Sequence, residues 1–353
     1  MSTPFVSALI DTYNHERFIE QAIVSVLEQD VSPTEMEVIV VDDGSTDNTP
    51  EIVRRFTPRV RYLRKANGGQ ASAFNAGIPE TRGEIVAFLD GDDWWTKGKL
   101  SMVLDQLARR PDVGAVGHGR YEVYSGAKPH CVIVPDRDYE VRLRSKAGAR
   151  LFSQLRSFLG TSRLTVRKAV LDRILPIPED LVVEADEYIF TLASAIAPAI
   201  VLEPPLLYYR FHENNLFMIQ SADPARQRRK QASLAALVRT LPEALTKLGV
   251  SQDVIETVLE PTWVDAERMR LTIEGGKPWQ TFAIERASFG LDYSHVSTGY
   301  RLFKWFVLGL TLVTPPRRFY RLRHRYSASG LRRLRRVLGE PTPAAPIEVQ
   351  SGA

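Results

Sequence analysis

Three carboxylates stand together at the end of an apolar segment in the first third of the chain. Asp90, Asp92 and Asp93 follow residues 85–89, an apolar run typical of a buried strand, and Gly91 stands where the chain must turn. Carboxylates this close repel one another, so a fold that brings them together usually has a cation to share. Oxygen ligands suit Mg²⁺ or Mn²⁺, and such ions usually accompany phosphate. The cluster therefore indicates a metal-assisted phosphate site, and an acidic surface turn is the alternative.

Two earlier apolar runs also end in polar residues. Residues 6–10 lead into Asp11 and Tyr13, and residues 37–41 lead into Asp42 and Asp43. Helical patterns separate these runs, and strands that alternate with helices predict an α/β fold with a right-handed, largely parallel sheet. Because such sheets bind ligands at the carboxyl ends of their strands, the three acidic segments are expected to converge on one edge.

The segments between these apolar runs also carry signals of local secondary structure. Apolar residues recur with helical spacing across residues 18–27. Thr49 is expected to cap the next helix, with Pro50 in its first position. A short strand is expected at residues 60–63 and a helix around residues 73–76, before the acidic cluster is reached.

Composition and length narrow the class of protein. The chain has 353 residues, 44% of them apolar and 25% charged, which is ordinary for a globular protein. Its only cysteine, Cys131, excludes an internal disulfide framework and fits a reducing compartment. No signal-peptide pattern opens the chain, and the longest apolar stretch, residues 302–313, is too short to span a bilayer. These features predict a cytoplasmic protein.

The glycine pattern excludes two classes of nucleotide-binding protein. No G-x-G-x-x-G follows the first strand, and no G-x-x-x-x-G-K-[ST] occurs in the chain. A typical dinucleotide-dependent oxidoreductase or P-loop NTPase needs one of these motifs to bring backbone amides onto phosphate. This chain offers acids instead, so its phosphate contact is expected to run through a metal.

Residues 5–215 resemble the family 2 glycosyltransferases, which have the GT-A fold and act with inversion. The matching segments, in chain order, are V-S-A-L-I-D-T-Y-N, V-I-V-V-D-D-G-S-T-D-N-T, N-G-G-Q-A-S-A-F-N-A-G, G-E-I-V-A-F-L-D-G-D-D-W and L-L-Y-Y-R-F-H. The ordered combination is specific, whereas D-x-D alone is a weak signal. The resemblance implies a GT-A domain, which is a Rossmann-like and mostly parallel sheet flanked by helices, with a helical C-terminal extension.

The resemblance also implies a nucleotide-sugar site. Tyr13 is expected to stack on the nucleotide base with Asp11 beside it, and Asp43 to accept a hydrogen bond from the imide N–H of the base. Asp90 is expected to bind the ribose hydroxyls. Asp42 is expected either to take part or only to brace the turn.

Metal and sugar contacts are expected next to these residues. The resemblance assigns Asp92 to a Mn²⁺ or Mg²⁺ ion that bridges the diphosphate, and His212 to the same metal or the diphosphate. Asp93 is expected to support the turn or to contact a hydroxyl of the donor sugar. One of Trp94 and Trp95 is expected in the core and the other against a sugar, without a choice between them.

An inverting transfer needs a base for the attacking hydroxyl. In the family this base is the second residue of an E-D pair near a helix start, and Asp186 takes that position here, although the preceding residue is alanine. Glu184 and Glu187 are close enough to compete for the role. Three residues lie where acceptor-side groups often sit in the family and receive no assignment: Ser162, Arg163 and Arg167.

The organisation of the chain follows from these patterns. Residues 1–220 are predicted to form the catalytic domain, 221–298 a helical module, 299–336 an amphipathic basic segment and 337–353 a disordered tail. Within the module, helices are expected at residues 231–241, 254–259 and 261–273.

The basic segment predicts a second kind of contact. Residues 317–336 hold nine arginines, one histidine and no acid, and an apolar, aromatic stretch precedes them. This pairing is typical of a helix at the surface of an anionic membrane. A buried helix followed by a solvated basic extension is the alternative. The segment lacks the spaced aromatics of a nucleic-acid site, so no nucleic-acid partner is expected.

The sequence thus predicts a metal-dependent, inverting glycosyltransferase in cell-envelope polysaccharide synthesis, peripheral to the inner face of the membrane. It is expected to move one sugar from a UDP- or dTDP-sugar to a hydroxyl of a glycan or lipid-linked acceptor. The Q-x-x-R-W motif of the processive synthases is absent, which favours single transfers. The alternatives are an inactive, membrane-docked nucleotide-sugar-binding protein, and a nucleotidyltransferase, which usually has a glycine-rich basic loop after its first strand.

Overall fold

The computed structural model describes residues 6–124, 129–212, 215, 223–292 and 298–328. The described chain divides into two compact units. The first comprises residues 6–124, 129–212, 215 and 240–258, and the second residues 223–239, 259–292 and 298–328. The predicted boundary at residue 220 and the predicted tail lie outside the described residues.

The helices and strands follow one another in an α/β order through the first part of the chain. They are β1 (Val6–Thr12), α1 (Ile19–Leu27), β2 (Met36–Asp42), α2 (Thr49–Arg54), β3 (Arg61–Arg64), α3 (Gln70–Gly77), β4 (Ile85–Asp90), β5 (Trp94–Trp95), α4 (Lys99–Arg109), β6 (Ala115–Val123), β7 (Cys131–Ile133), β8 (Tyr139–Val141), α5 (Lys146–Leu155), β9 (Thr165–Arg167), α6 (Lys168–Leu171), α7 (Ala185–Ile196) and β10 (Ala199–Arg210). The later part is helical: α8 (Pro224–Lys247), α9 (Gln252–Glu274), α10 (Pro278–Asp292), α11 (Thr298–Leu310) and α12 (Pro316–Ala328).

One mixed sheet forms the centre of the first unit. Its strand order is β3-β2-β1-β4-β9-β6-β10-β5, with β7 beside β6 and β8 beside β10. Strands β3, β2, β1 and β4 are parallel to one another, whereas β9 runs antiparallel to both β4 and β6. The predicted α/β sheet flanked by helices is confirmed. The sheet is largely parallel only in its first half, because the short β9 enters from a tight turn instead of a crossover helix.

The core explains why these segments become strands and helices. Strands β1, β2 and β4 consist mostly of buried apolar residues, as parallel strands covered on both faces should. Helix α1 turns its buried positions, Ile19, Ala22, Ile23 and Val26, toward this sheet. Their spacing of three and four residues places them on one face of the helix.

Two local predictions were wrong. Thr49 is the first residue of α2 rather than its cap, and its hydroxyl accepts a hydrogen bond from the His15 N–H at 3.0 Å. The helices expected on either side of residue 260 are one helix, α9, which runs through Pro261. A proline inside a helix removes one donor, but Val258 and Thr262 beside it are buried, so tertiary packing outweighs the local preference.

The second unit has a small core of its own. It is formed by Val264, Leu271, Ile284, Phe319 and Tyr320. No helix within the described ranges is both long enough and apolar enough to cross a lipid bilayer.

Candidate active site

The carboxyl ends of three parallel strands meet at one edge of the sheet. Asp11 at the end of β1 is in register with Asp90 at the end of β4 on one side and with Val41 of β2 on the other. Asp43 follows β2 directly, and its N–H donates to the Thr12 carbonyl at 2.9 Å. Three acidic segments that are far apart in sequence therefore share one edge.

The chain turns sharply after Asp90. The Asp93 N–H donates to the Asp90 carbonyl at 3.1 Å, and the Gly91 N–H donates to the Asp11 carbonyl at 2.9 Å. A Cβ atom at Gly91 would lie 2.7 Å from Thr12 Oγ1 and 2.9 Å from His15 Nδ1. Glycine is required here because the turn is pressed against the end of β1.

Burial and mutual repulsion set the charge state of these acids. Burial, followed by the charge of Asp92, raises the pKa of Asp11 to about 8. Burial and the charges of Asp11, Asp92 and Asp93 raise the pKa of Asp90 well above its usual value. Burial and Asp92 raise the pKa of Asp93 to about 7. Burial and neighbouring acids therefore favour protonation of these carboxyls, and ionising them together requires additional positive charge.

Asp92 has a different environment from its neighbours. Its Oδ2 lies 2.9 Å from His212 Nε2 and 3.9 Å from His15 Nε2. Burial acts to raise the pKa of Asp92, but the two imidazoles outweigh burial and hold that pKa below its ordinary value. Asp92 and His212 thus form a pair of oxygen and nitrogen donors. No motif in the sequence indicated that His15 would lie beside them.

Arg210 fixes the acidic turn from behind. Its Nε donates to the Asp92 carbonyl at 2.8 Å, and its backbone N–H donates to Asp93 Oδ1 at 2.9 Å. The guanidinium lies between two rings, 4.6 Å from the centroid of Phe18 and 4.4 Å from that of Trp94. Arg210 stood in the quoted L-L-Y-Y-R-F-H segment, but only the fold shows that it braces this turn.

Both tryptophans after the acids are buried, so the expectation that one of them faces a sugar was wrong. Trp94 has Arg210 over its ring and stacks on Tyr208 at 4.9 Å. Trp95 has the Lys99 ammonium 3.6 Å from its ring centroid. Arg210, Tyr208 and Lys99 therefore cover faces of the two indole rings on which a sugar would have to stack.

The D-D-G-S-T loop is held by both of its acids. Asp42 is fully buried, and its Oδ1 accepts the Ser45 N–H at 2.7 Å while its Oδ2 accepts the Tyr62 hydroxyl. Asp43 accepts the N–H groups of Gly68 and Gly69 and lies 2.8 Å from Lys65 Nζ. Asp42 therefore braces the turn. Asp43 joins the loop of residues 65–69 to the site. The same carboxylate would also have to accept the expected hydrogen bond from a nucleotide base.

Tyr13, the other residue that is expected to contact the nucleotide base, directly follows β1. Its side chain is 44% exposed, which leaves the ring accessible at the same edge. The next residue, Asn14, has a positive φ of 56° and accepts the Thr46 N–H at 2.8 Å. This bond joins the end of β1 to the D-D-G-S-T loop.

A turn between α5 and β9 links the acidic edge to Asp186. The Ser162 hydroxyl lies 2.9 Å from Asp90 Oδ2, and the Thr161 N–H donates to Asp186 Oδ2 at 3.0 Å. Gln70 supports the turn, since its amide donates to Thr161 Oγ1 and accepts the Ala185 N–H. From the sequence, Ser162 was noted as a possible acceptor-side residue without an assigned role. The structure places its hydroxyl in contact with Asp90 of the acidic cluster.

Asp186 shares the electrostatic environment of the edge. Burial, followed by the charge of Glu184, raises the pKa of Asp186, and its own charge raises those of Asp11 and Asp90. Glu184 has a strained, positive φ of 63° at the start of α7. Glu187 lies 3.2 Å from Arg156 and is neutralised by it. Asp186 thus interacts with both strand-end carboxylates, Asp11 and Asp90.

The donor chemistry of the edge fits a divalent cation. Asp92 and His212 could supply two ligands, and the buried Asp11 Oδ1 and Asp93 Oδ2 have no hydrogen-bond partner among the described residues. In the part of the chain that the structure describes, no group of three or more acidic, histidine or cysteine side chains is already arranged to hold a metal ion. The remaining coordination positions would have to come from substrate oxygens or water.

Comparisons with known proteins place the chain among enzymes that transfer sugars. A family model described as glycosyl transferase family 2 matches residues 7–175. An uncharacterized glycosyltransferase of Nostoc sp. is 31% identical over 260 residues, which cover 69% of this chain and 76% of the relative. The uncharacterized glycosyltransferase EpsJ of Bacillus subtilis is 35% identical over 130 residues, and the match covers 36% of this chain and 37% of EpsJ.

A solved structure shares the fold. TarS of S. aureus, residues 1–349, crystallised with UDP-GlcNAc, superposes with a TM-score of 0.53 at 20% identity. The match covers 92% of this chain and 91% of the TarS chain.

The role of Arg210 generates a prediction about stability. Arg210→Lys removes the planar group between Phe18 and Trp94, so we expect the free energy of unfolding to fall by about 2 kcal/mol. Urea unfolding followed by tryptophan fluorescence measures the change. Arg17→Lys is the control, because Arg17 also lies over Phe18 at 5.4 Å but is exposed. Equal effects of the two substitutions would contradict the bracing role.

Proposed function

The chain belongs to glycosyl transferase family 2, and from that membership we propose that it moves a single sugar from a UDP- or dTDP-sugar to a hydroxyl of a glycan or lipid-linked acceptor. The transfer inverts the anomeric configuration and depends on Mn²⁺ or Mg²⁺. One observation carries the proposal: Asp11 and Asp90 lie within electrostatic reach of Asp186 at one edge of the sheet, and Asp92 lies within reach of both of them. This arrangement puts a diphosphate-binding cluster and a base around the same space.

The donor side of the proposal rests on the ends of β1, β2 and β4. Tyr13 offers an exposed ring for the base, Asp43 a carboxylate for an imide N–H, and Asp90 a carboxylate for ribose hydroxyls. Uracil and thymine both carry that imide N–H. The TarS domain, which shares the fold, has been crystallised with UDP and with UDP-GlcNAc, and this favours a uridine nucleotide.

Asp92 and His212 are the residues that would hold the metal. A bound divalent ion neutralises the charge that develops on a departing nucleoside diphosphate. His15 and His212 keep Asp92 ionised, and the Arg210 guanidinium holds the backbone of Asp92 in place through its bond to the Asp92 carbonyl. Asp93 stays beside them through its bond to the Arg210 N–H.

Asp186 is proposed as the base. Its carboxylate takes the proton of the acceptor hydroxyl while that oxygen forms a bond to the anomeric carbon and the bond to the β-phosphate oxygen breaks. The Thr161 N–H and the start of α7 orient the carboxylate. Its raised pKa makes it a stronger base than an ordinary aspartate, and activity is lost as the pH falls through this raised value.

We further propose that the protein works at an anionic membrane surface, where a lipid-linked acceptor would be found. Five apolar side chains with helical spacing project from α11 and the turn after it: Leu302, Trp305, Phe306, Leu310 and Val313. Their exposed fractions are 66%, 53%, 65%, 42% and 76%. The opposite side of the segment is buried at Leu308 and Thr311.

The charge of this region complements a membrane. No acid occurs between residues 298 and 328, and exposed arginines of α12, at positions 317, 318 and 321, follow the apolar face. Anionic headgroups attract such residues by about 1 kcal/mol each. An exposed apolar helix face next to uncompensated positive charge fits a bilayer interface better than it fits water.

The transferase proposal is tested by release of nucleoside diphosphate. We expect one donor from a panel of UDP-, dTDP- and GDP-sugars to be hydrolysed slowly and to react faster when a glycolipid extract is added. Asp186→Asn should lower the accelerated rate by about 100-fold or more because it removes the base. Glu187→Gln is the matched control, since Glu187 is paired with Arg156, and it should retain most activity.

Nucleotide binding without turnover of any donor or acceptor would instead support an inactive nucleotide-sugar-binding protein. An equal loss of activity in Asp186→Asn and Glu187→Gln would contradict the assignment of the base.

The membrane proposal is tested by sedimentation with vesicles of phosphatidylcholine, with and without phosphatidylglycerol. Binding should require phosphatidylglycerol, and Arg318→Glu with Arg321→Glu should weaken it about tenfold or more. Phe306→Ser should also weaken binding, whereas Trp279→Ser, at an aromatic that is 59% exposed on α10, should not. Binding that is unaffected by these changes, or self-association through the same face, would contradict the proposal.

A further inference from the structure

Arg163 stands in a turn that touches both sides of the proposed site. The turn, Thr161–Arg163, contacts Asp90 through the Ser162 hydroxyl and Asp186 through the Thr161 N–H. These two bonds fix the backbone of Arg163 between the donor-side carboxylates and the proposed base. Its side chain also acts electrostatically on Asp93 and Asp186.

The guanidinium of Arg163 lacks the partners that its neighbours have. Its Nε is shielded from solvent and has no hydrogen-bond acceptor among the described residues, and its Cζ lies 5.9 Å from the centroid of the Tyr209 ring. Arg120 packs on the same ring at 5.7 Å but is paired with Glu122 at 2.8 Å. Of these two arginines, Arg163 is the one that has no carboxylate within ion-pair distance among the described residues.

Gly160 makes room for this arrangement. A Cβ atom at Gly160 would lie 2.3 Å from Arg163 Nη2 and 3.3 Å from Asp186 Oδ2. The guanidinium thus rests on the glycine backbone beside the carboxylate of the proposed base. Gly160 has an ordinary φ of −66°, so a side chain there would displace Arg163 without straining the backbone.

Arg163 is half-buried, and a shielded Nε without an acceptor is unfavourable unless a ligand supplies one. Burial lowers the pKa of Arg163 to about 10, so the group stays protonated at neutral pH. Its planar donors match two oxygens of a phosphate group.

We infer that Arg163 binds a phosphate group of a substrate, in the space between Asp93 and Asp186. This inference rests on the proposed function, because that function brings phosphate to the site from two sources. One is the diphosphate of the donor, and the other is the phosphate of a lipid-linked acceptor. Both present the same chemistry to Arg163, and binding measurements separate them.

The test compares Arg163→Gln and Arg163→Lys with the wild type in equilibrium binding of three probes. UDP stands for the donor, and farnesyl phosphate with farnesol stands for the acceptor with and without its phosphate. Loss of a charged hydrogen-bonding group predicts a rise of about 10- to 100-fold in the dissociation constant of one phosphorylated probe for Arg163→Gln. Arg163→Lys should recover part of the affinity, and farnesol should bind equally to all variants.

Two further variants separate phosphate binding from a structural role. Arg120→Gln removes the paired arginine from the same ring and should leave all three dissociation constants unchanged. Gly160→Ala keeps the charge but displaces it, and should weaken the same probe as Arg163→Gln. Because the Arg163 side chain donates no hydrogen bond that the described residues accept, its variants should unfold within about 4 °C of the wild type.

The binding readout does not require turnover, so a failure of the transferase proposal remains distinguishable. A change confined to UDP assigns Arg163 to the donor, and a change confined to farnesyl phosphate assigns it to the acceptor. The inference is overturned if neither phosphorylated probe is weakened, if Arg120→Gln has the same effect, or if the wild type binds neither probe.

Discussion

Repulsion among carboxylates at one edge of the sheet is the constraint on which the site depends. Asp11, Asp90, Asp93 and Asp186 all have raised pKa values, because burial and the charges of neighbouring acids disfavour their ionisation. When its members are ionised together, such a cluster requires cations. The chain supplies some of them, and the proposed metal and substrate account for the rest.

The supporting residues divide this task among themselves. His15 and His212 keep Asp92 ionised, while Arg210 fixes the backbone of the acidic turn. Arg163 offers a positive charge that no described carboxylate neutralises by direct contact, on the side of the proposed base. The site therefore combines negative charge beside the proposed metal with positive charge beside the proposed phosphate, in keeping with the proposed transfer from a nucleotide-diphospho-sugar.

The sequence was sufficient to predict the sheet and the convergence of the acidic residues, because apolar runs and parallel topology determine where the strand ends meet. It was not sufficient for residues whose role depends on contacts across the fold. Arg210 and His15 reach the acidic turn from segments distant in sequence, and no spacing rule marks them. The burial of Trp94 could not be predicted from the sequence, because the surrounding side chains decide whether an aromatic ring is buried. Pro261 was misread since packing overrode its local preference.

The most direct test of this account is the affinity of UDP with Mn²⁺ and with EDTA, measured by calorimetry on the wild type and on Asp92→Asn. The account predicts that Mn²⁺ strengthens UDP binding to the wild type about tenfold or more, since the diphosphate would otherwise face uncompensated carboxylates. Asp92→Asn should lose most of this gain. UDP binding that is equally tight in EDTA and in Mn²⁺ would contradict a metal-dependent site at this edge of the sheet.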